Sequence, residues 1–273
     1  MSILTVNIGK GGTGKTTFVF TYGSQLALME NKKTLLIDAD ESMNLSTRFK
    51  IEVKPENRID RIFSKEKLEI KPIELSNNLD LIAGSSKVEE LNKELLLRSN
   101  NQLIMAMWFA DNYDWLKEYD YIIIDTHNDN QFVTQNAFVI SDLVLGVSDP
   151  SKDGFEALMK LRTNLDILKS DVINPIDRVS YVKAAYRFIG NYVPYNTSSA
   201  KEFISSLSED PEYLGFIHRR EILNQANIAQ HSIIASYLEG NIERKHNDFL
   251  EELFSLFNKI TDELDKQGEI NNE

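Results

Sequence analysis

The chain has no cysteine, which excludes disulfide scaffolds, thiolate zinc sites, cysteine nucleophiles and iron–sulfur clusters. It also lacks any apolar run of the roughly 18 residues that a membrane-spanning helix requires. Met1–Ile8 carries neither the charged segment nor the long apolar stretch of a secretory leader, so a cytoplasmic location is expected. The six prolines are scattered, and no Pro/Gly-rich linker, low-complexity tract or fixed-period repeat interrupts the 273 residues. Positive charge is scarce too: 30 Lys and Arg face 42 Asp and Glu, a formal charge of -12. That excludes a uniformly basic nucleic-acid coat while leaving room for a local basic patch.

What is present reads as a folded α/β chain, with 42% hydrophobic and 26% charged residues. Short aliphatic runs at Ile3–Ile8, Thr34–Ile37, Leu79–Ala83, Tyr121–Ile124, Leu143–Val147 and Arg187–Val193 have strand length, and Tyr213–Ile217 adds a weaker one. Several are apolar at consecutive positions, as strands buried on both faces should be. Helical spacing fills Thr16–Met29, Lys87–Leu97, Gln102–Leu116, Gly154–Leu168 and Ser198–Leu207. The alternation predicts βαβ units in a doubly wound, mostly parallel twisted sheet with helices on both faces. One domain over residues 1–266 is expected, followed by a frayed polar tail, Gln267–Glu273. Residues Lys50–Ser76 show no clean period.

The strongest motif is Gly9-Lys10-Gly11-Gly12-Thr13-Gly14-Lys15-Thr16. It satisfies G-x-x-x-x-G-K-[ST] between a predicted strand and a predicted helix, the context that a phosphate-binding P-loop requires. Glycines let successive N–H groups converge on phosphate oxygens, and the helix N-terminus adds a favourable field. Lys15 is expected to neutralise the outer phosphates and the Thr16 hydroxyl to complete a Mg²⁺ shell. The bland alternative is a glycine-rich strand-to-helix turn. Lys10 is a second lysine that an ordinary P-loop does not need; alone, it reads equally well as a solvated charge beside an anion site.

Two further strands close on acids. Thr34–Ile37 runs into Asp38-Ala39-Asp40, and Tyr121–Ile124 into Asp125-Thr126. Ligands of open α/β sheets sit beyond the carboxyl ends of the strands, so these acids reach the crevice of the phosphate loop. An apolar run closed by Asp125 is a Walker B arrangement, and an acid in Asp38–Asp40 can orient an attacking water. Each could instead be a helix cap or a turn-forming Asp.

These residues resemble a known family. Lys10 to Thr17 is similar to the deviant Walker A loop, KGG-x-GKTT, of the ParA/MinD ATPases. Leu35–Asp40 resembles that family's next motif and Tyr119–Thr126 its Walker B, with weaker likenesses at Asn78–Ala83 and Asp142–Val147. Ile217–Ala226 resembles a segment of the plasmid and chromosome partition branch. The resemblance implies ATP and Mg²⁺ bound by Gly11, Gly12, Thr13, Gly14, Lys15, Thr16 and Thr17. It implies Lys10 as the signature lysine that reaches the partner's phosphates in a nucleotide-sandwich homodimer. It further implies Asp40 as the water-positioning acid, Asp38 and Asp125 near Mg²⁺, and Asn191 as a reader of adenine. Two departures stand out. The branch usually continues D-x-D-P-Q-x-N, whereas Asp40 is followed by Glu41-Ser42-Met43-Asn44. Its Pro-containing switch after Walker B is replaced by Thr126-His127-Asn128-Asp129, where His127 is a lone histidine of a kind more often satisfied than catalytic.

Three functions compete: a DNA-segregation ATPase with a centromere-binding, ParB-like partner; a MinD-like membrane-cycling ATPase; and a nucleotide-gated switch with negligible turnover. A membrane-surface helix needs Lys and Arg on its polar face. The C-terminal stripe Phe249, Leu250, Leu253, Phe254, Leu256, Phe257, Ile260 and Leu264 is instead flanked by Asp248, Glu251, Glu252, Asp262, Glu263 and Asp265, so it reads as a core-closing helix with no membrane partner. Residues 172–246 are neutral in an acidic chain, which allows a basic face around Arg219, Arg220, Arg244 and Lys245 for non-specific DNA. No helix-turn-helix segment precedes the P-loop, so sequence-specific operator binding by this chain is not expected.

Overall fold

The computed structural model describes residues 1–195 and 197–272. In chain order the elements are β1 (Ser2–Asn7), α1 (Lys15–Ser24), β2 (Thr34–Ala39), β3 (Ile73–Ser76), β4 (Leu79–Ile82), α2 (Val88–Leu95), α3 (Ile104–Asp111), α4 (Tyr113–Leu116) and β5 (Tyr121–Thr126). They continue with α5 (Phe132–Ile140), β6 (Leu143–Ser148), α6 (Lys152–Asp171), β7 (Ala185–Val193), α7 (Ser198–Leu207), β8 (Tyr213–His218), α8 (Glu221–Ala229), α9 (Ile233–Leu238) and α10 (Asn247–Asn272). One eight-stranded sheet runs β3-β4-β2-β5-β1-β6-β7-β8. Every pairing is parallel except β3 with β4. The expected doubly wound sheet is present.

Alternation along each strand sends side chains to opposite faces, and both faces are covered. From β5, Ile123 joins α1 and α10 on one side, while Ile122 and Ile124 join α2, α3 and α5 on the other. β6 divides likewise: Leu145 joins the α1–α10 side and Val144 the layer under α6 and α7. Buried-on-both-sides strands read as unbroken aliphatic runs, and YIII at 121–124 is one.

Several expectations need correction. Of the expected tail Gln267–Glu273, residues 267–272 are helical, because α10 continues to Asn272, and Glu273 lies outside the described residues. Gln267 donates to Glu263 at 2.8 Å, Asn271 Nδ2 donates to Asp142 at 2.8 Å, and Lys183 donates to the Asn271 carbonyl at 2.9 Å. The polar residues that suggested fraying are partners for the rim of the sheet. The single helix expected over Gln102–Leu116 breaks at Asn112, whose side chain donates to the Trp108 carbonyl and accepts from Trp115 Nε1. That side chain competes with the helical ladder. Residues 50–76 hold two single 3₁₀ turns, Pro55–Asn57 and Ile59–Arg61, and the edge strand β3.

The last helix closes the core as expected. Phe257 is fully buried, with its ring edge-on to Phe18 at 5.5 Å and to Tyr22 at 5.2 Å. Phe18 and Tyr22 lie one turn apart on α1, the helix that begins in the P-loop. Phe257→Ala should therefore lower unfolding stability by about 3–5 kcal/mol. Urea unfolding followed by circular dichroism reads this directly, and a change under 1 kcal/mol would show that α10 does not clamp α1.

Candidate nucleotide-binding site

The loop between β1 and α1 is shaped by two residues in left-handed backbone. Gly12 has φ +76° and Gly14 φ +90°. At Gly14 the requirement is double: a Cβ there would meet Asn191 Nδ2 at 2.4 Å and the Tyr192 hydroxyl at 2.8 Å. Around Gly12 there is open space, where backbone N–H groups can meet an anion. Asn191, buried in β7, donates to the Thr13 carbonyl at 2.7 Å. Its amide nitrogen thus braces the loop.

Parallel register aligns the acids. Asp38 of β2 lies beside Asp125 of β5, and Asp125 beside Val6 of β1, two residues before the loop opens. Lys15 is only 7% exposed and donates to Asn128 Oδ1. Burial lowers its pKa, opposed by the charges of Asp125, Asp40 and Asp129. The structure therefore brings Lys15, Asp40 and Asp125 to one place, as their positions at strand ends implied.

The carboxylates have distinct surroundings. Asp38 Oδ2 accepts from the Ser46 backbone at 2.8 Å and hydroxyl at 2.7 Å, and Oδ1 from the Asp40 backbone at 3.2 Å. It pins the loop that carries Asp40. Asp40 Oδ1 accepts from the Ser42 backbone at 2.8 Å. Neither oxygen of Asp125 makes a well-formed hydrogen bond, although both are buried. Burial first, and then Asp38, raise the Asp125 pKa to about 7, with the Thr16 hydroxyl and Lys15 pulling the other way. Burial likewise raises Asp38 to about 6 against its bonds from Ser46.

Orphaned, buried oxygens on Asp125 beside the Thr16 hydroxyl suit a small hard cation. Among the described residues no group of three His, Asp or Glu side chains can grip an ion unaided. A Mg²⁺ ion at Asp125 would keep several waters and borrow ligands from a substrate's phosphates.

Lys10 makes an ion pair with Asp149 at 2.7 Å and donates to the Ser151 hydroxyl at 2.7 Å. Asp149 follows β6, and Ser151 caps α6 by accepting from Gly154 N. Sequence spacing did not reveal this partner, which lies 139 residues away. Also missed was Arg48, half-buried, whose side chain feels both Tyr192 and Asp125. His127 is satisfied by Asp129 at 3.0 Å and lies 4.0 Å from Glu41.

The four basic residues suggested for DNA divide. Arg219 is exposed and lines a cavity of about 490 Å³ with Gly12, Asp149, Pro150, Tyr192, Pro194 and Asn224. Arg220 is committed internally: its guanidinium sits 4.2 Å above the Tyr195 ring, 5.5 Å from Phe249, and donates to the Tyr195 hydroxyl at 2.6 Å. Arg244 is exposed, and Lys245 pairs with Glu243 at 2.8 Å.

Fold and loop together define a P-loop NTPase of the ParA type. A family model described as an AAA domain, AAA_31, matches residues 1–177, and the chain belongs to that family. A virulence plasmid ParA family protein, pGP5-D, of Chlamydia psittaci is 33% identical over 179 residues, covering 58% of this chain and 64% of that protein. The alignment thus spans less than two thirds of that relative. Among solved structures, a putative plasmid partition protein of Borrelia burgdorferi bound to AMPPNP aligns with TM-score 0.77 and 21% identity, over 96% of this chain and 98% of that one. Apo McdA of Cyanothece aligns with TM-score 0.79 and 20% identity, over 97% and 99%. These two likenesses establish the fold. Among the described residues no helix is long and apolar enough to cross a membrane.

The buried acids make a pH prediction. With Asp125 near 7 folded and about 3.9 unfolded, the native state holds a proton that the unfolded chain gives up between those values. Stability without nucleotide should fall as pH rises from about 4 to about 7. Asp125→Asn should flatten that slope and raise the melting temperature at pH 8. A variant that melts below the wild type at pH 8 would contradict the strained-carboxylate picture.

Proposed function

We propose that this chain is an ATP-dependent DNA-segregation ATPase. It binds ATP with Mg²⁺, forms a homodimer in that state, binds DNA without sequence preference and is reset by hydrolysis with a centromere-binding, ParB-like partner. The observation that carries this reading is the convergence of Lys15, Asp40 and Asp125 on the mouth of a loop that also bears Lys10. The plasmid-partition and ParA descriptions of its relatives supply the segregation part.

In this reading the loop's N–H groups and Lys15 hold the β- and γ-phosphates. Thr16 and Asp125 would hold Mg²⁺, which when bound would neutralise charge on the phosphates. Asp40, kept in place by Asp38 and Ser42, orients water toward the γ-phosphorus. Lys10 must leave Asp149 to serve a partner. That release is cheap, because both side chains are about a quarter exposed, 26% and 28%, and pairs of this kind contribute on the order of 1 kcal/mol or less.

Two measurements test it. Light scattering on the slow-hydrolysing Asp40→Ala variant should show a dimer with ATP and a monomer once Lys10→Ala is added. An undiminished dimer in the double variant removes the trans role of Lys10. Co-sedimentation should show DNA binding with ATP and none without, falling steeply with salt. Arg219→Glu with Arg244→Glu should weaken binding to all sequences alike and flatten the salt slope. Indifference to DNA with ATP at low salt would replace the segregation reading with a nucleotide-gated switch.

A further inference from the structure

We infer that Asn128 is a γ-phosphate-reading catalytic residue, in which one side-chain amide distinguishes a nucleoside triphosphate from a diphosphate. The inference rests on the ATPase reading above and concerns the segment after β5 that departs from the family's proline-containing switch.

The amide of Asn128 reaches across to the phosphate loop at two points. Its Oδ1 accepts from Lys15 Nζ, and its Nδ2 lies 3.3 Å from where a Cβ on Gly11 would stand. The carboxamide therefore lies between the loop's backbone and its lysine, whose charge also feels Asp125, Asp40 and Asp129. A lysine in this position serves the outer phosphates. A bound triphosphate contends with Asn128 for the ammonium through its β- and γ-phosphates, whereas a diphosphate contends through the β-phosphate alone.

The support for this amide is rigid. Asn7, at the end of β1, donates through Nδ2 to the Thr126 hydroxyl at 2.7 Å and to the His127 carbonyl at 2.8 Å. Thr126 in turn donates to the Val6 carbonyl at 2.8 Å. On the far side Asp129 Oδ1 accepts from Thr134 at 2.9 Å and from the Gln131 backbone at 3.1 Å, joining the turn to the start of α5. Backbone on both sides of Asn128 is fixed, so its side chain is the part free to move. His127 links the same turn to the loop of Asp40: it bonds Asp129 and stands 4.0 Å from Glu41.

An amide suits both states of such a site. Toward Lys15 it presents its carbonyl oxygen; rotated, it presents a donor to a γ-phosphate oxygen. During hydrolysis the water oxygen bonds to the γ-phosphorus, the β,γ-bridging bond breaks with its electron pair staying on ADP, and the water's proton leaves with inorganic phosphate. Charge grows on the bridging and γ oxygens, and a neutral N–H donor turned onto them lowers the barrier.

The test compares Asn128→Ala and Asn128→Asp with wild type, measuring ATP and ADP affinity with fluorescent nucleotide analogues and phosphate release. Asn128→Ala should lower kcat at least tenfold while binding ATP as tightly as wild type or more so, because its competitor for Lys15 is gone. Asn128→Asp keeps the shape but places a carboxylate against the γ-phosphate. It should weaken ATP at least tenfold and ADP much less. Wild-type kcat in Asn128→Ala, or an unaltered ratio of ATP to ADP affinity in Asn128→Asp, overturns the inference. Lys15→Ala serves as the control for the underlying reading: if wild type itself binds no ATP the ATPase reading fails, whereas wild-type turnover with an inert Asn128 fails this inference alone.

Discussion

The structure turns on one buried ammonium. Lys15 is enclosed by its own loop, by the acids at the ends of β2 and β5, and by the Asn128 turn. Removing a lysine from water is expensive unless negative charge and hydrogen bonds replace the solvent. Asp125, Asp40 and Asp129 provide that charge, but two of the site's carboxylates are themselves held far from their preferred state, at about 7 for Asp125 and about 6 for Asp38. The cluster is balanced for a guest carrying both signs. In the proposed reading phosphate oxygens would satisfy Lys15 and a divalent cation Asp125, so neither half of the site would be complete with the other alone.

That arrangement depends on sheet register more than on the loop. Asp38 and Asp125 meet because β2 and β5 are parallel neighbours in step, and the P-loop opens beside them because β5 also pairs with β1. A one-residue slip of β2 would turn Asp38 to the opposite face. The double-sided burial of the strands sets the register firmly, and α10, through Phe257 against Phe18 and Tyr22, presses α1 onto that frame. The rigidity of the P-loop end of the sheet thus rests on the hydrophobic centre.

How much of this was legible in the sequence follows from what kind of contact each feature rests on. Local features were plain: the glycine pattern with Lys15, the unbroken YIII run before Asp125, and the apolar stripe of α10. Features built by long-range polar pairing were not. Asp149, the partner of Lys10, is 139 residues distant, and Asn191's brace on Thr13 spans 178. Residues 50–76 gave no period because single 3₁₀ turns and one edge strand have none long enough to detect. The polar end of α10 misled because its residues face the rim of the sheet, where Asp142 serves both the Ile3 backbone and Asn271. Composition alone cannot distinguish a solvated polar residue from one that is bonded.

The basic residues carry the same lesson into function. Arg219 and Arg220 are adjacent in sequence yet belong to different parts of the molecule. Arg220 is stacked on Tyr195, which in turn stacks on His218 at 3.8 Å, so its charge serves the packing of β8 against the first turn of α10. Arg219 opens onto the cavity that also contains Gly12 and Asp149. A charge there lies near the P-loop and near Asp149, the partner of Lys10, at once. In a chain of net charge -12, long-range attraction to a polyanion is absent, and affinity must come from short-range contacts on a few exposed cations. Because Arg219 borders the cavity of the P-loop rather than a remote face, the proposed DNA contact and the proposed ATP requirement would share one location.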